Sequence, residues 1–197
     1  MPLLLRKVRF YTDNDKSIFV LRSKKYDNTQ MPILNPNNLE FISRSPEQTQ
    51  RIGARLGTFL KGGEVIALVG DLGTGKTHLA QGIGMGWGAQ HPLTSPTFIL
   101  VRRHSRPQDP IYLYHVDLYR IAGDLEIDTL GLDDVMGETH AICLIEWADR
   151  AKDFFPDDAL WIELYWVDDL RRSLIFRATG PQHAALLNQL RKEIVGR

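Results

Sequence analysis

The octapeptide "GDLGTGKT" at residues 70–77 combines residue types and a spacing that suit the binding of phosphate. It fits the phosphate-loop pattern G-x-x-x-x-G-K-[ST] through Gly70, Gly75, Lys76 and Thr77. Glycines let such a loop turn its backbone N–H groups toward an anion without a side chain in the way. The lysine brings a positive charge to the β- and γ-phosphates, and the threonine hydroxyl can ligate Mg²⁺ at the positive end of a helix. The motif therefore predicts a site for a nucleoside triphosphate with Mg²⁺.

A phosphate loop requires a strand before it and a helix after it, and the sequence supplies both. Residues 64–70 form the apolar run "EVIALVG", which is typical of a buried strand. After the loop, Leu79, Ile83 and Trp87 recur at helical spacing. Besides Lys76 and Thr77, we expect the loop residues between these two elements to contact the nucleotide: Asp71, Leu72, Gly73, Thr74 and Gly75.

A phosphate loop also needs a carboxylate at the end of a neighbouring strand to help hold magnesium. Asp117 ends the apolar run "IYLYHVD", and Glu146 ends the apolar run "AICLIE". Ligands of open α/β sheets bind at the carboxyl ends of the strands, so both side chains are candidates. Spacing alone does not divide the roles between them. His115, which has no paired serine or cysteine, is interpreted as structural.

The segment "TSPTF" at residues 94–98 is open to two interpretations. Its hydroxyls at Ser95 and Thr97 suit a nucleotide-sensing segment of the kind that switches with the γ-phosphate. It also suits an ordinary entry into a strand, and composition does not separate these alternatives.

Composition excludes several classes of protein. The chain has 197 residues, equal numbers of basic and acidic residues, and one cysteine, Cys143. A protein that binds nucleic acid by itself usually has a net positive charge, which this chain lacks. A single cysteine cannot form an internal disulfide. No apolar run reaches the ~20 residues that span a bilayer, and the first ten residues do not have the order of a secretory signal. We therefore expect a soluble, cytoplasmic protein with no membrane association.

The order of predicted elements indicates one α/β domain with an N-terminal extension. Residues 1–30 carry a net charge of +4 and precede an Asn- and Pro-rich linker that contains Met31, an alternative start. A loosely ordered, dispensable extension is favoured there over a basic nucleic-acid arm. Residues 1–40 are assigned to this extension and linker, and residues 41–197 to the domain. The predicted fold is a P-loop NTPase-like domain, a small mixed sheet flanked by helices.

The elements of this domain are predicted from periodicity and end signals. A capped helix begins at Ser45 and ends at Gly62–Gly63. Residues 97–104 and 111–117 form paired strands, and one or two short acidic helices occupy residues 124–136. Further strands at 141–147, 160–167 and 173–179 precede a final helix at 181–194.

The combination of motifs resembles the TsaE (YjeE) family of bacterial P-loop ATPases. The matching segments, in family order, are "GDLGTGKT", "SPTF", "HVDLYRI", "LGLDDV", "ICLIEWADRA" and "FPDDAL". The resemblance covers about residues 43–180 and is specific, because "DLYR" and "LIEW" are not general features of phosphate-loop proteins. His78 departs from the usual family threonine after "GKT".

The resemblance implies an ATPase subunit that serves the threonylcarbamoylation of adenosine 37 in tRNAs reading codons that start with A. Its implied partners are a TsaD-like catalytic subunit and a TsaB-like scaffold, with tRNA reached through the complex. By match of motif, Thr77 and Glu146 are the implied magnesium pair, and Asp117 supports hydrolysis alongside Lys76. Thr49 and Arg172 match places where the family wraps the adenosine of ATP.

Three other functions are known for chains with a phosphate loop, and the sequence favours them to different degrees. A small-molecule or nucleotide kinase would need an arginine-rich lid, for which "VRRHSRPQDP" is the one candidate and fits a hairpin better. A GTPase is disfavoured because the guanine-reading motif [NT]-K-x-D does not occur in the chain. A nucleotide-gated interaction protein with negligible turnover is compatible with the sequence.

Overall fold

The computed structural model describes residues 37–96, 100–121, 127 and 130–195. Most of the predicted extension, and residues 97–99 of "TSPTF" and its following strand, lie outside this range. In chain order the described elements are β1 (Asn38–Ser43), α1 (Pro46–Gly57), β2 (Val65–Val69), α2 (Lys76–Trp87), β3 (Val101–Arg106), β4 (Asp109–Asp117), β5 (Ala141–Glu146), a 3-10 helix (Ala148–Phe154), β6 (Leu160–Trp166), β7 (Arg172–Ala178) and α3 (Pro181–Val195).

The seven described strands form one mixed sheet in the order β1-β7-β6-β2-β5-β4-β3. The four central strands, β6, β2, β5 and β4, are parallel to one another, whereas β7 and β1 on one side and β3 on the other each pair antiparallel with the next strand inward. Strand β5 is buried along its whole length, as expected for a central parallel strand covered on both faces. The predicted α/β class with a mixed sheet is confirmed.

The parallel strands bring their carboxyl ends to one edge of the sheet. Asp117, at the end of β4, lies beside Glu146, at the end of β5. Strand β2 ends next to β5 and leads directly into the phosphate loop. Elements that are far apart in the chain therefore deliver their last residues to one place, as expected for open α/β sheets.

Helices α1 and α2 pack closely enough for their backbones to touch. A Cβ atom placed on Gly53 would lie 2.4 Å from the carbonyl oxygen of Leu79, and one on Gly82 would lie 2.1 Å from that of Gln50. Side chains larger than hydrogen do not fit at these positions. The buried apolar faces of both helices continue this contact into the sheet. Helix α2, which starts at the phosphate loop, is thereby held against the core.

Strand β1 includes residues 38–40, which the sequence analysis assigned to the linker. They pair with β7, and Leu39 is buried. Phe41 lies edge-on to Phe176 of β7, with ring centroids 5.4 Å apart. The assignment of residues 38–40 to the linker is therefore wrong, because three residues of alternating apolar pattern in an Asn-rich segment carry too little signal.

Helix α1 begins as predicted but ends earlier. Ser45 Oγ accepts a hydrogen bond from the Gln48 N–H at 3.2 Å, and the Gln48 side chain accepts from the Arg44 N–H at 2.8 Å. The predicted end at Gly62–Gly63 is wrong. The helix ends at Gly57, where the Thr58 N–H and hydroxyl close the last turn on carbonyl oxygens of that turn.

The remaining predicted strands and the final helix hold with shifted bounds. The paired strands are β3 and β4, and their turn is Pro107–Gln108 rather than the longer "SRPQDP". The prediction of one or two helices at residues 124–136 is wrong for residues 130–136, where 130–131 and 133–136 form turns; most of 124–129 lies outside the described residues. Across the described part of the chain, no helix is both long and apolar enough for a membrane span.

Candidate nucleotide-binding site

The phosphate loop joins β2 to α2 through glycines in left-handed conformations. Gly73 has φ of 78° and Gly75 has φ of 102°, values that other residues rarely adopt. Gly75 is the N-cap of α2 and offers no side chain to the helix N-terminus. The first N–H groups of α2 therefore face the loop rather than a capping side chain, which is the arrangement that binds a phosphate.

Lys76 is buried at the start of α2 and is held by the loop itself. Its Nζ donates to the carbonyl oxygen of Gly70 at 2.6 Å and to that of Asp71 at 2.9 Å. The Trp147 ring lies beneath the ammonium, 3.7 Å from Nζ to the ring centroid. Burial lowers the pKa of Lys76 from its ordinary value, and the nearby carboxylates of Glu146 and Asp117 oppose that shift. The loop carbonyls and the Trp147 ring therefore hold the Lys76 ammonium at the loop, where burial by itself disfavours its charge.

Thr77 and Glu146 meet although they are 69 positions apart in the chain. Thr77 Oγ1 donates to Glu146 Oε2 at 2.8 Å. The other carboxylate oxygen, Glu146 Oε1, lies 2.9 Å from Nε2 of the buried His115. A hydroxyl and a carboxylate are hard oxygen donors of the kind that Mg²⁺ prefers. The predicted magnesium pair therefore fits that ion, and across the described part of the chain no cluster of three acidic, histidine or cysteine side chains offers a separate metal site.

Asp117 lies next to Glu146 but has different hydrogen-bond partners. Its Oδ2 accepts from the hydroxyl of Ser95 at 2.7 Å, and its Oδ1 accepts from the N–H of Tyr119 at 2.9 Å. Ser95 belongs to the "TSPTF" segment, so the described part of that segment contacts one of the two predicted carboxylates. The two interpretations of "TSPTF" still stand, since Thr97 lies outside the described residues.

Two cavities meet at the phosphate loop. The first has a volume of about 360 Å³ and is lined by Leu72, Gly73, Gly75, Lys76, Thr77, His78, Ser95, Asp117, Tyr119, Glu146 and Trp147. The second has a volume of about 250 Å³ and is lined by Arg44, Ser45, Pro46, Thr49, Gly73, Thr74, Gly75, His78, Asp169, Leu170 and Arg172. They share Gly73, Gly75 and His78, so the loop forms a wall between two adjoining spaces.

The predicted site residues other than Asp71 line one or both of these cavities, whereas Asp71 lines neither. Lys76, Thr77, Asp117 and Glu146 all line the first cavity. Thr49 and Arg172, which were predicted from the family resemblance, line the second. The Thr49 side chain is buried, with its hydroxyl 2.7 Å from Ser43 Oγ. The Arg172 guanidinium lies 3.3 Å from the ring centroid of Trp166.

Sequence reasoning missed the contact between His115 and Glu146. The interpretation of His115 as structural did not anticipate that its ring binds a candidate metal ligand. One signal was available: His115 precedes Asp117 by two residues on β4, so both side chains lie on the same face of the strand. The identity of the partner depended on which strand is adjacent, and that was unknown.

Comparisons with known proteins identify the family of the chain. The family described as "Threonylcarbamoyl adenosine biosynthesis protein TsaE" matches residues 43–174. Proteins named tRNA threonylcarbamoyladenosine biosynthesis protein TsaE are similar to the chain. The one from Bacillus subtilis is 34% identical over 152 residues, covering 77% of this chain and 93% of the relative. The one from Treponema pallidum is 35% identical over 134 residues, covering 68% and 96%.

A solved structure has the same fold. The crystal structure of Bacillus subtilis YdiB superposes with a TM-score of 0.65 at 29% identity, covering 80% of this chain and 96% of that one. The region that matches the family, residues 43–174, includes the phosphate loop, Asp117, Glu146 and all the residues that line the two cavities. The resemblance predicted from the motifs is confirmed: the chain belongs to the TsaE family.

Proposed function

We propose that the chain binds and hydrolyses Mg-ATP as the ATPase subunit of tRNA threonylcarbamoyladenosine biosynthesis. The observation that supports this most directly is the convergence of Lys76, Thr77, Asp117 and Glu146 on one cavity beside the phosphate loop. The names of the relatives supply the pathway, since each is a tRNA threonylcarbamoyladenosine biosynthesis protein.

Binding of the triphosphate relies on the loop backbone and on Lys76. The N–H groups at the start of α2 donate to phosphate oxygens, and the helix dipole adds to their attraction. Lys76 exchanges its carbonyl partners in the loop for the β- and γ-phosphates. Thr77 and Glu146 would hold Mg²⁺, which would offset the negative charge of the phosphate oxygens. The adjoining second cavity, with Thr49 and Arg172, takes the nucleoside.

Hydrolysis in this proposal uses Asp117 to position a water molecule. Asp117 lines the cavity beside the phosphate loop, and a carboxylate oxygen can accept a hydrogen bond from that water. The water oxygen attacks the γ-phosphorus as the bond to the bridging oxygen of ADP breaks; one proton of the water stays on the inorganic phosphate and the other is released to solvent with ADP and phosphate as products. Because Ser95 and Asp117 are linked, the state of the γ-phosphate is communicated to "TSPTF".

The hydrolysis supports the turnover of a TsaD-like catalytic subunit with a TsaB-like scaffold. This complex threonylcarbamoylates adenosine 37 in tRNAs that read codons starting with A. The zero net charge of the chain suits a subunit that reaches tRNA through its partners. We expect slow hydrolysis by the isolated chain and faster hydrolysis when the two partners are present.

The test compares wild type with Lys76→Ala, and uses Lys61→Ala as a control because Lys61 is an exposed lysine near the other end of β2. At ATP one hundred times its Kd, the native state gains about 2.7 kcal/mol, which raises Tm by roughly 5–11 °C in wild type and in the control. Lys76→Ala should lose this shift. The same proteins are then assayed for phosphate release and for modified tRNA formed per catalytic subunit.

Two outcomes would contradict the proposal. If ATP with magnesium gives no Tm shift in wild type, the loop does not bind the nucleotide. If Lys76→Ala sustains as many rounds of tRNA modification as wild type, the ATPase role is wrong. Transfer of the γ-phosphate to a small molecule or a nucleotide, instead of release as inorganic phosphate, would point to the alternative kinase.

A further inference from the structure

His115 is a fully buried histidine whose hydrogen bonding is directed at one carboxylate. The ring is completely excluded from solvent in the middle of the sheet. Its Nε2 lies 2.9 Å from Glu146 Oε1, and its Nδ1 has no hydrogen-bond partner among the described residues. A carboxylate only accepts hydrogen bonds, so the proton must be on Nε2, and the histidine is the donor.

The hydrogen bond from His115 holds the second carboxylate oxygen of Glu146. A glutamate carboxylate turns broadly about its last torsion unless both oxygens are held. Here Thr77 binds Oε2 and His115 binds Oε1, from helix α2 on one side and strand β4 on the other. The plane and position of the carboxylate are therefore set by two elements that are themselves packed into the core.

A second buried histidine, His183, has a structural role, and its hydrogen bonds differ from those of His115. His183 uses both ring nitrogens: its Nε2 accepts from the Val65 N–H at 3.0 Å, and its Nδ1 lies 2.6 Å from Asp158 Oδ1. It thereby ties the start of α3 to the start of β2. Among the described residues the His115 ring makes one hydrogen bond, which goes to the candidate metal ligand at the end of β5 and not to a backbone group.

We propose that His115 is a positioning residue that orients Glu146 toward the divalent cation and thereby sets the affinity of the site for that cation. This inference rests on the proposed function, because it assumes that Glu146 and Thr77 hold Mg²⁺ with the nucleotide. His115 itself does not line the cavity that Glu146 and Thr77 line. Hydrogen-bond partners of metal ligands typically change metal affinity by 10–100-fold when they are removed.

The test measures the affinity of ATP in magnesium and in EDTA for four proteins. His115→Leu removes the donor, whereas His115→Gln places an amide N–H near the former Nε2. The ratio of ATP affinity in magnesium to ATP affinity in EDTA should be 10–100-fold smaller in His115→Leu than in wild type. The ATP affinity of His115→Leu in EDTA should stay within about threefold of that of wild type. His115→Gln should recover most of the loss. His183→Gln, the control, should have a lower Tm and an unchanged gain from magnesium.

The outcomes separate this inference from the proposed function. If wild type gains no affinity from magnesium, the proposed function fails. If wild type gains it and folded His115→Leu gains it equally, or if His115→Leu loses affinity equally in magnesium and EDTA, the positioning role is overturned. Should His115→Leu fail to fold, His115→Asn replaces it, because its amide lies near Nδ1 and again withdraws the donor from Glu146.

Discussion

Replacing Gly82 with alanine tests whether the contact between α1 and α2 holds the phosphate loop in place. A Cβ atom on Gly82 would lie 2.1 Å from the carbonyl oxygen of Gln50 and 2.8 Å from its carbonyl carbon. Ordinary contacts are about 3.5 Å, so the helices must separate by about 1.4 Å. The obstructing atoms are backbone, which no rotamer change can move aside.

Two effects of opposite sign decide the magnitude. Alanine is favoured over glycine in a helix by about 1 kcal/mol, which stabilises the variant. Overpacking costs 1–3 kcal/mol and more where backbone must move, as it must here on both helices. We therefore expect Gly82→Ala to lower the free energy of unfolding by about 2 kcal/mol, which lowers Tm by roughly 4–8 °C.

The assay is thermal and urea denaturation, followed by ATP binding. Met85→Ala is the control, because Met85 is three residues further along α2 and 64% exposed, so its change should stay within about 0.5 kcal/mol. ATP affinity should also fall in Gly82→Ala, since α2 carries Lys76 and Thr77 at its start. A Tm for Gly82→Ala equal to or above that of wild type would show that the helices do not approach as closely as described.

Three further predictions follow from the site and the fold. Glu146→Gln should weaken the magnesium-dependent affinity for ATP, whereas Asp117→Asn should lower turnover with a smaller loss of ATP binding. A magnesium titration of both variants checks this, and the reverse pattern would exchange the roles of the two carboxylates. Asp158 should stabilise the fold above about pH 4. Burial raises the pKa of its carboxyl group, but hydrogen bonds from the His183 ring and from two backbone N–H groups at the start of α3 lower it by more. The pKa of Asp158 therefore lies below its ordinary value of 3.8. Because a lowered carboxyl pKa means that the unfolded chain binds more protons, this stabilisation is lost as the pH falls below that value. Asp158→Asn should therefore flatten the acid side of a Tm-against-pH curve, and an unchanged slope would contradict the assignment. A chain that starts at Met31 should fold and bind ATP like the full chain, as circular dichroism and calorimetry can show, and loss of either would make residues 1–30 part of the functional unit.

The phosphate loop and its context could be predicted from the sequence because they are contiguous. A loop of backbone donors is specified by glycines at set positions, and the flanking strand and helix are visible in the apolar periodicity on each side. The cap of α1 is equally local, since Ser45 and Gln48 are three residues apart. Local rules also reached Asp117 and Glu146, because each ends an apolar run.

Only the tertiary structure decided which groups meet. The contact between Thr77 and Glu146 spans 69 positions, and it depends on β5 lying beside β2 in the sheet, which periodicity does not reveal. His115 could be placed on the same face as Asp117, but its carboxylate partner lies on a different strand. The close approach at Gly82 was invisible for a related reason: an apolar pattern shows which face of a helix is buried, whereas the distance to the neighbouring helix is set by the backbone that packs against it.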